Sequence, residues 1–464
     1  MTTTTLNTNV LSNRKESPAP VHFAIIFLIS LIVPILLRAG PLVLFPHRLV
    51  LLLLFIPCLI RLLSGRAGPI ILADYLMLGS AIWACLAYIV NHGLVEKFEA
   101  IGIHMIEFFG AYLLARVAIR SSEDFRKFAV WLFWIMFALL PFAAIEAISK
   151  RAILLEMIPH SISIVHAPYR LGMRRAQVLF THPIHYGIFA SMGMALFWYC
   201  LRPAWTRIVS IPTVVASTVF SLSSGALICV VLQTIVIFWE VVTRSIKHRW
   251  RIFAVLFAIF YVVVEAGSNS SFFEVVVRYA SFSTDSAYNR ILIWQYGTQN
   301  VAENPFFGIA DHEWKRAAWM STSADNFWLL ITMQFGLPCF IMFAWAVLYN
   351  MFKAGRAKLS DPMDQAARVA YLTVCVGIII GGGTVHYWTA MMALVLFMFG
   401  AGAWSFTGGA VPAEGARTDL PSQDEIHEGR RYSRFASRPL STGSTAPTAY
   451  VRASSGKPKL QRQI

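Results

Sequence analysis

The chain has 464 residues, 57% of them hydrophobic and only 14% charged, with a formal net charge of +15 and a mean hydropathy of +0.60. A soluble domain carries about 25% charged residues, so this composition excludes a soluble enzyme, a secreted disulfide scaffold and a conventional nucleic-acid binder. What remains is a multi-spanning membrane protein of all-α class, in which basic residues chiefly set orientation.

In chain order, residues 1–20 are polar and Thr-rich and read as a cytoplasmic N-terminal segment. A helix crossing the hydrocarbon needs about 20 apolar residues. Such stretches fall near 21–37, 42–60, 69–91, 101–119, 128–149, 184–201, 206–222, 225–243, 252–266, 327–352, 366–382 and 385–404. They predict about twelve transmembrane helices within a domain spanning 21–404. No small-residue cleavage site follows the first run, which implies an uncleaved anchor. The stretch 327–352 is interrupted at Gly336-Leu337-Pro338, which predicts a short interfacial helix followed by a span. From 405 to 464 the chain is rich in Ser, Thr, Pro, Gly and Arg without apolar periodicity, the composition of a disordered tail. The six cysteines all lie in apolar stretches with no CxxC, so no disulfide or metal site is signalled.

Placing both termini in the cytoplasm puts eighteen basic residues on that side, among them Arg14, Lys15, Arg61, Arg66, Arg116, Arg120, Arg126, Lys127, Arg244, Lys247, Arg249 and Arg251. The short loops opposite hold only Arg38, Arg48 and Lys97. That asymmetry sets the expected orientation. Two opposite-side segments, 150–183 and 267–325, are too long for connectors. With Trp294, Phe306, Phe307, Trp314 and Trp319 they are too apolar for disorder, so a folded outer cap is expected.

These segments carry Lys150, Arg151, Arg170, Arg174, Arg175, Arg278, Arg290, Lys315 and Arg316. A guanidinium matches phosphate oxygens in pairs and keeps its charge. Such a cluster suits a lipid-linked phosphate or diphosphate. The alternative is salt bridging within the cap to Asp285, Glu303, Asp311 or Glu313. At helical spacing Arg170 and Arg174 share a face while Arg175 turns about 100° away. Within the spans the ionisable residues are Asp74, His104, Glu107, Glu146, Glu240 and Glu265. His104 lies three residues before Glu107, the spacing of a structural His–Glu pair. Gly381-Gly382-Gly383 lacks the Lys-Ser/Thr of a phosphate loop and reads as a tight turn or a helix-packing site.

The order of motifs adds to this. Arg175-Ala-Gln-Val-Leu-Phe180-Thr-His182-Pro183-Ile-His185 leads into a span. It is followed by Asn289-Arg290…Trp294, Asn304-Pro305-Phe-Phe-Gly308, Asp325-Asn326-Phe-Trp and Gly336-Leu337. This series resembles the bacterial O-antigen ligase and polysaccharide polymerase superfamily over roughly residues 100–400, most firmly at 289–337.

The resemblance implies an inner-membrane, metal- and cofactor-independent glycosyltransferase with its active site facing the periplasm. Its donor would be an undecaprenyl-diphosphate-linked oligosaccharide and its acceptor a glycan hydroxyl. Membrane lipid, a flippase and a chain-length regulator would be its further partners, with no nucleic acid. By position, Arg175 and Arg290 would bind the diphosphate and stabilise its departure, with Arg174 in reserve and Arg170 beside it. The ligases usually carry His before the Asn, where this chain has Asp325 before Asn326. That departure favours a polymerase of exopolysaccharide, capsule or O-antigen over a ligase acting on lipid A core or protein. Asp325 is the candidate base or the cap of the following helix. His312 is a rival base, and His182 and His185 suit structural hydrogen bonds or substrate contact. Tyr169, Trp294 and Trp314 fit either sugar stacking or interface anchoring. The reading from a different class is a twelve-helix secondary transporter or flippase. Such proteins bind at the midplane on paired broken helices, and no matching breaks or internal repeat occur here.

Overall fold

The computed structural model describes residues 20–39, 42–269, 271–279 and 284–407, all within the compact unit Met1–Ala410. Residues 1–19 and nearly all of the expected tail lie outside the described residues, although its first residues close a helical turn, Trp404–Thr407. The helices are α1 (Val21–Ser30), α2 (Pro46–Leu63), α3 (Leu72–His92), α4 (Phe98–Ala118), α5 (Ser122–Ser149), α6 (Pro183–Cys200) and α7 (Arg207–Phe220). They continue with α8 (Ser224–Val242), α9 (Arg249–Gly267), α10 (Phe272–Tyr279), α11 (Thr284–Glu303), α12 (Phe327–Arg356), α13 (Pro362–Gly382) and α14 (Ala390–Gly400). Leu37–Ala39 pairs with Leu42–Leu44 as a short antiparallel ribbon.

A helix occupies each apolar stretch expected from the sequence. Nine helical segments among the described residues are long and apolar enough to cross a membrane by length and composition, α14 counting there together with the turns after it as Ala390–Thr407, whereas α1 and α7 are shorter and α6 falls outside that set. Helices dominate because hydrocarbon offers no partner for a backbone N–H or C=O. Helix α6 is the centre of the bundle, with sixteen of its eighteen residues buried and packing against α7, α8 and α13. At the other extreme α9 has no buried residue. Its Phe257, Phe260 and Val263 are more than half exposed, a surface suited to a hydrocarbon surround. All six cysteines are free and buried. At the triple glycine, a Cβ on Gly381 would overlap Cys229 Sγ, so helix packing accounts for it.

The acids within the spans are each committed to a partner. Asp74 takes a bidentate contact from Arg116 (Nε at 2.8 Å, a terminal N–H at 3.0 Å) and accepts from Tyr112 Oη at 2.7 Å. Arg116 is therefore a buried internal cation, not the loop charge that its position in the sequence suggests. Glu240 pairs with Arg249 at 3.2 Å, and Glu265 accepts the Phe272 N–H at 2.6 Å. Glu107 does not pair with His104. Its carboxylate accepts from Arg48 Nε at 2.5 Å and contacts His47 Nε2 at 3.1 Å, while the His104 ring stacks on Phe108. The reason is local. Residues Ile106–Gly110 form a π turn inside α4, which breaks the spacing on which the expected pair relies.

Helix α12 is interrupted as expected: Gly336 adopts φ 80°, ψ 172° between two helical pieces. The Asn304–Gly308 turn docks into this break through its backbone. The Ile309 and Ala310 N–H groups donate to the Met333 and Gln334 carbonyls at 2.8 and 2.7 Å, and the Leu337 N–H donates to the Pro305 carbonyl at 2.8 Å. Both glycines at the contact have positive φ, and a Cβ on Gly336 would overlap the Phe306 carbonyl, as one on Gly308 would overlap that of Met333. Trp83 seals the joint, donating from Nε1 to the Phe306 carbonyl at 2.9 Å and stacking on Phe307 at 4° between planes. A forced left-handed side chain costs about 1–3 kcal/mol before any overlap. Gly336→Ala and Gly308→Ala are each expected to lower stability by at least about 2 kcal/mol, read as a drop in thermal unfolding temperature in detergent, whereas Gly93→Ala, with open space around it, should cost less.

Candidate functional site

After α5, Lys150 takes a left-handed cap position (φ 62°), and the chain proceeds largely without regular structure to α6. It reverses at Leu171-Gly172, both at positive φ, with Arg170 and Met173 exchanging backbone hydrogen bonds at 3.0 and 2.9 Å. This is the geometry of a primed tight turn. Beyond it the backbone runs extended, with Arg174 N–H bonded to the Ala147 carbonyl and Ala176 N–H to that of Phe220. Successive side chains of an extended chain point to opposite sides.

That alternation separates Arg174 from Arg175. Arg174 turns back to the buried Glu146, with Nε 3.3 Å from Oε1, and donates to the Val165 carbonyl at 3.0 Å. Glu146 also accepts the Gln177 and Val178 N–H groups at 3.3 and 3.0 Å. Arg174 thus anchors the loop to α5 and does not line the cavity that Arg175 enters. Helical spacing is the wrong model here, and Arg170 rather than Arg174 joins Arg175.

Arg170, Arg175 and Arg290 line one cavity of ≈ 100 Å³ together with Asp325, Asn289, Ser286, Ser223, Ser224 and Ile184. Each guanidinium is tethered to an uncharged oxygen. Arg175 Nε lies 3.4 Å from the Ser221 carbonyl, and Arg170 donates to the Leu222 carbonyl at 2.6 Å. Arg290 donates to the Thr384 carbonyl at 3.1 Å and to Ser224 Oγ at 3.2 Å. Ser286, Asn289 and Arg290 share a face of α11 through their i, i+3, i+4 spacing. Leu222, at φ 46°, presents its carbonyl from the tight joint between α7 and α8. Burial, opposed by Asp325 and reinforced by Arg170, pulls Arg290 below its ordinary value. Burial and the charges of Arg170 and Arg290, partly offset by Asp325, bring Arg175 down to about 10. Both guanidiniums are crowded together and short of water, surroundings that work against their charge.

Four of the other outer cations meet a partner of their own. Arg151 pairs with Glu156 at 2.5 Å, Lys315 with Glu303 at 2.5 Å and Arg316 with Glu313 at 2.6 Å, while Lys150 lies over the Tyr169 ring at 5.2 Å. The salt-bridge reading of these cations holds for Lys315 with Glu303 and for Arg316 with Glu313.

Asp325 is half-buried and accepts from Ser323 Oγ at 3.1 Å. It is not the helix cap. Asn326 caps α12, its Oδ1 accepting the Leu329 N–H at 3.1 Å, so Asn326 is spoken for structurally. His312 does not reach the cavity. Its ring lies tilted by 30° against that of His92 at 4.0 Å, beside the Lys97–Asp311 pair at 2.9 Å. His185 is buried against Trp388 at 3.8 Å, with Nδ1 3.0 Å from Thr181 Oγ1. Trp294, a turn beyond Arg290 on α11, is 46% exposed and does not line the cavity. Trp314 is buried and donates to the Thr322 carbonyl at 3.0 Å. It belongs to a small core with Leu292, Ile293 and Met320 under the segment before α12. Sequence reasoning missed Ser223, Ser224 and the Thr384 carbonyl. The only signal was the Ser-Leu-Ser-Ser-Gly run at 221–225 between two apolar stretches.

Residues 209–344 match the family model for O-antigen ligase. The match includes Ser224, Arg290, Asp325 and both glycines of the backbone joint, while Arg170, Arg175 and Thr384 lie outside it. A search of curated proteins returned no match.

His182 caps α6, its Nδ1 accepting the Ile184 N–H at 3.1 Å, which requires a neutral ring. Burial, then the charge of Arg175, lowers it to about 4. The unfolded chain, with an ordinary imidazole near 6.5, binds the proton first. The stability this residue contributes is therefore complete above about pH 6.5 and lost as pH falls toward 4. Comparing thermal unfolding of wild type and His182→Asn between pH 7 and 4 should show the wild type losing ground below about 6.5.

Proposed function

We propose that this member of the O-antigen ligase and polysaccharide polymerase superfamily polymerises lipid-linked repeat units at the outer face of the bacterial inner membrane, with both termini in the cytoplasm. The donor is an undecaprenyl-diphosphate-linked oligosaccharide and the acceptor a hydroxyl of a second glycan. The observation that carries the reading is the convergence of Arg170, Arg175 and Arg290 on one cavity with Asp325.

The acceptor oxygen attacks the anomeric carbon of the donor. A carbon–oxygen bond forms there as the bond to the diphosphate breaks, and its electron pair leaves with the diphosphate. Three guanidiniums already fixed on carbonyl and hydroxyl oxygens meet that growing charge without reorganising, which is the economical form of electrostatic catalysis. Bound diphosphate replaces Asp325 as their counter-ion. The carboxylate is then free to accept the hydroxyl proton. The charge comes from the chain's own side chains, so no metal is required.

Ligation of finished glycan to lipid A core or protein is the second reading, supported by the description of the matched family as O-antigen ligase. Product separates the two: a ladder of lengthening chains for a polymerase, one transfer per acceptor for a ligase.

Arg175→Ala and Arg290→Ala are expected to reduce transfer by about 10² or more while leaving protein level and membrane insertion intact. Lysine at either position should fail to restore it, because a point charge cannot replace the fork. Arg174→Ala should instead lower the amount of folded protein, since it strands buried Glu146. Asp325→Asn should cost about 10²–10⁴ in rate. Each is read with purified protein and lipid-diphosphate oligosaccharide, following chain lengthening with EDTA present. Full-length product in both arginine variants would remove the diphosphate-site reading, and product only with added metal would remove the metal-free one.

A further inference from the structure

A second cavity, of ≈ 270 Å³, is lined by Tyr88, His104, Glu107, Gln334, His386 and Trp388 among others. No described residue lines both this cavity and the guanidinium cavity, but the same two chain segments border each. Asp325 lines the first, and Phe327, two residues on, lines the second. The segment after α13 serves both, since the Thr384 carbonyl holds Arg290 while His386, Trp388 and Thr389 face the second cavity.

Several polar side chains around this space make no hydrogen bond among the described residues, among them the Gln334 amide, the imidazoles of His386 and His104, and Thr389 Oγ1. His104 is only 8% exposed, and its Nε2 is without a partner among the described residues. A buried donor or acceptor left unmet costs free energy, so its retention points to a ligand. The backbone around it is also unusual. Glu107 and Phe108 come from the π turn of α4, and Thr389 sits at φ 47°, ψ −124°, a conformation that concentrates where binding or chemistry occurs. Trp388 is held in place by the rings of His182, His185 and His386 at 5.5, 3.8 and 5.2 Å. Half-buried and edged by polar groups, it offers a flat face beside hydrogen-bonding atoms.

We infer that this cavity is the acceptor subsite and takes a hydroxyl-rich, uncharged sugar ring from the end of the acceptor glycan. The inference rests on the transferase reading and adds to it where the second substrate sits. A ring stacked near Trp388 is hydrogen-bonded by Gln334, His386 and His104, and its hydroxyl is presented along the Asp325–Phe327 segment toward Asp325. The walls carry no guanidinium, which separates this space from the anion site. The donor's own sugar is the competing occupant of the same chemistry.

The test uses full-length protein and two probes: phosphate-free repeat-unit oligosaccharide cut from the host's polymer, and farnesyl diphosphate. Gln334→Leu and His386→Gln are expected to weaken oligosaccharide binding about tenfold with farnesyl diphosphate binding unchanged. Arg290→Ala should do the reverse. In transfer assays the two variants should raise KM for a free acceptor and not for the donor. Wild-type oligosaccharide affinity in both variants, no oligosaccharide binding by the wild type, or a rise in donor KM alone would overturn the subsite. Unchanged farnesyl diphosphate binding in Arg290→Ala would instead overturn the transferase reading. A monodisperse elution profile keeps misfolding apart from each result.

Discussion

Bringing Arg170, Arg175 and Arg290 to one small cavity is the constraint around which this molecule is arranged. Like charges crowded away from water repel one another, and the fold opposes that repulsion by tying each guanidinium to a rigid backbone feature. The carbonyls of Ser221 and Leu222 come from the joint between α7 and α8, and that of Thr384 from the turn after α13. These oxygens orient the forks.

The same chemistry used for stability looks different. Arg116 is clasped by Asp74 and Arg174 by Glu146, in both cases with further hydrogen bonds to the carboxylate. Removing one partner of such a buried pair leaves an uncompensated charge, which costs several kcal/mol. Arg116 and Arg174 are thereby fixed as structural cations. The same pairing bears on transport: acids already committed within the bundle are poorly placed to carry ions or protons.

The cavity needs a fixed relation between α11 and α12, since Arg290 sits on one and Asp325 just before the other. The Asn304–Gly308 turn supplies it by forming backbone hydrogen bonds with the broken middle of α12. Backbone contacts at glycine permit an approach that any side chain would prevent. The irregular segment after α13 extends the same idea, contributing a carbonyl to one cavity and aromatic and imidazole groups to the next.

Hydropathy located the apolar helices, though not α10 and α11 of the outer segment, because bilayer thickness and the absence of water impose a length and a composition that any spanning sequence must display. The Gly-Leu-Pro run marked the break at Gly336. The motif order likewise pointed to Arg175, Arg290 and Asp325 before any geometry was known. What the tertiary structure decided was the partner of each charge. Arg174 and Arg175 are neighbours of identical chemistry, and only an extended backbone, which no helical spacing rule anticipates, sends one to Glu146 and the other to the cavity. Glu107 meets His47 and Arg48, some sixty residues away, because a π turn rotates it from His104. Contacts of that kind depend on distances between helices and on local backbone twist, and neither leaves a periodic trace in a sequence.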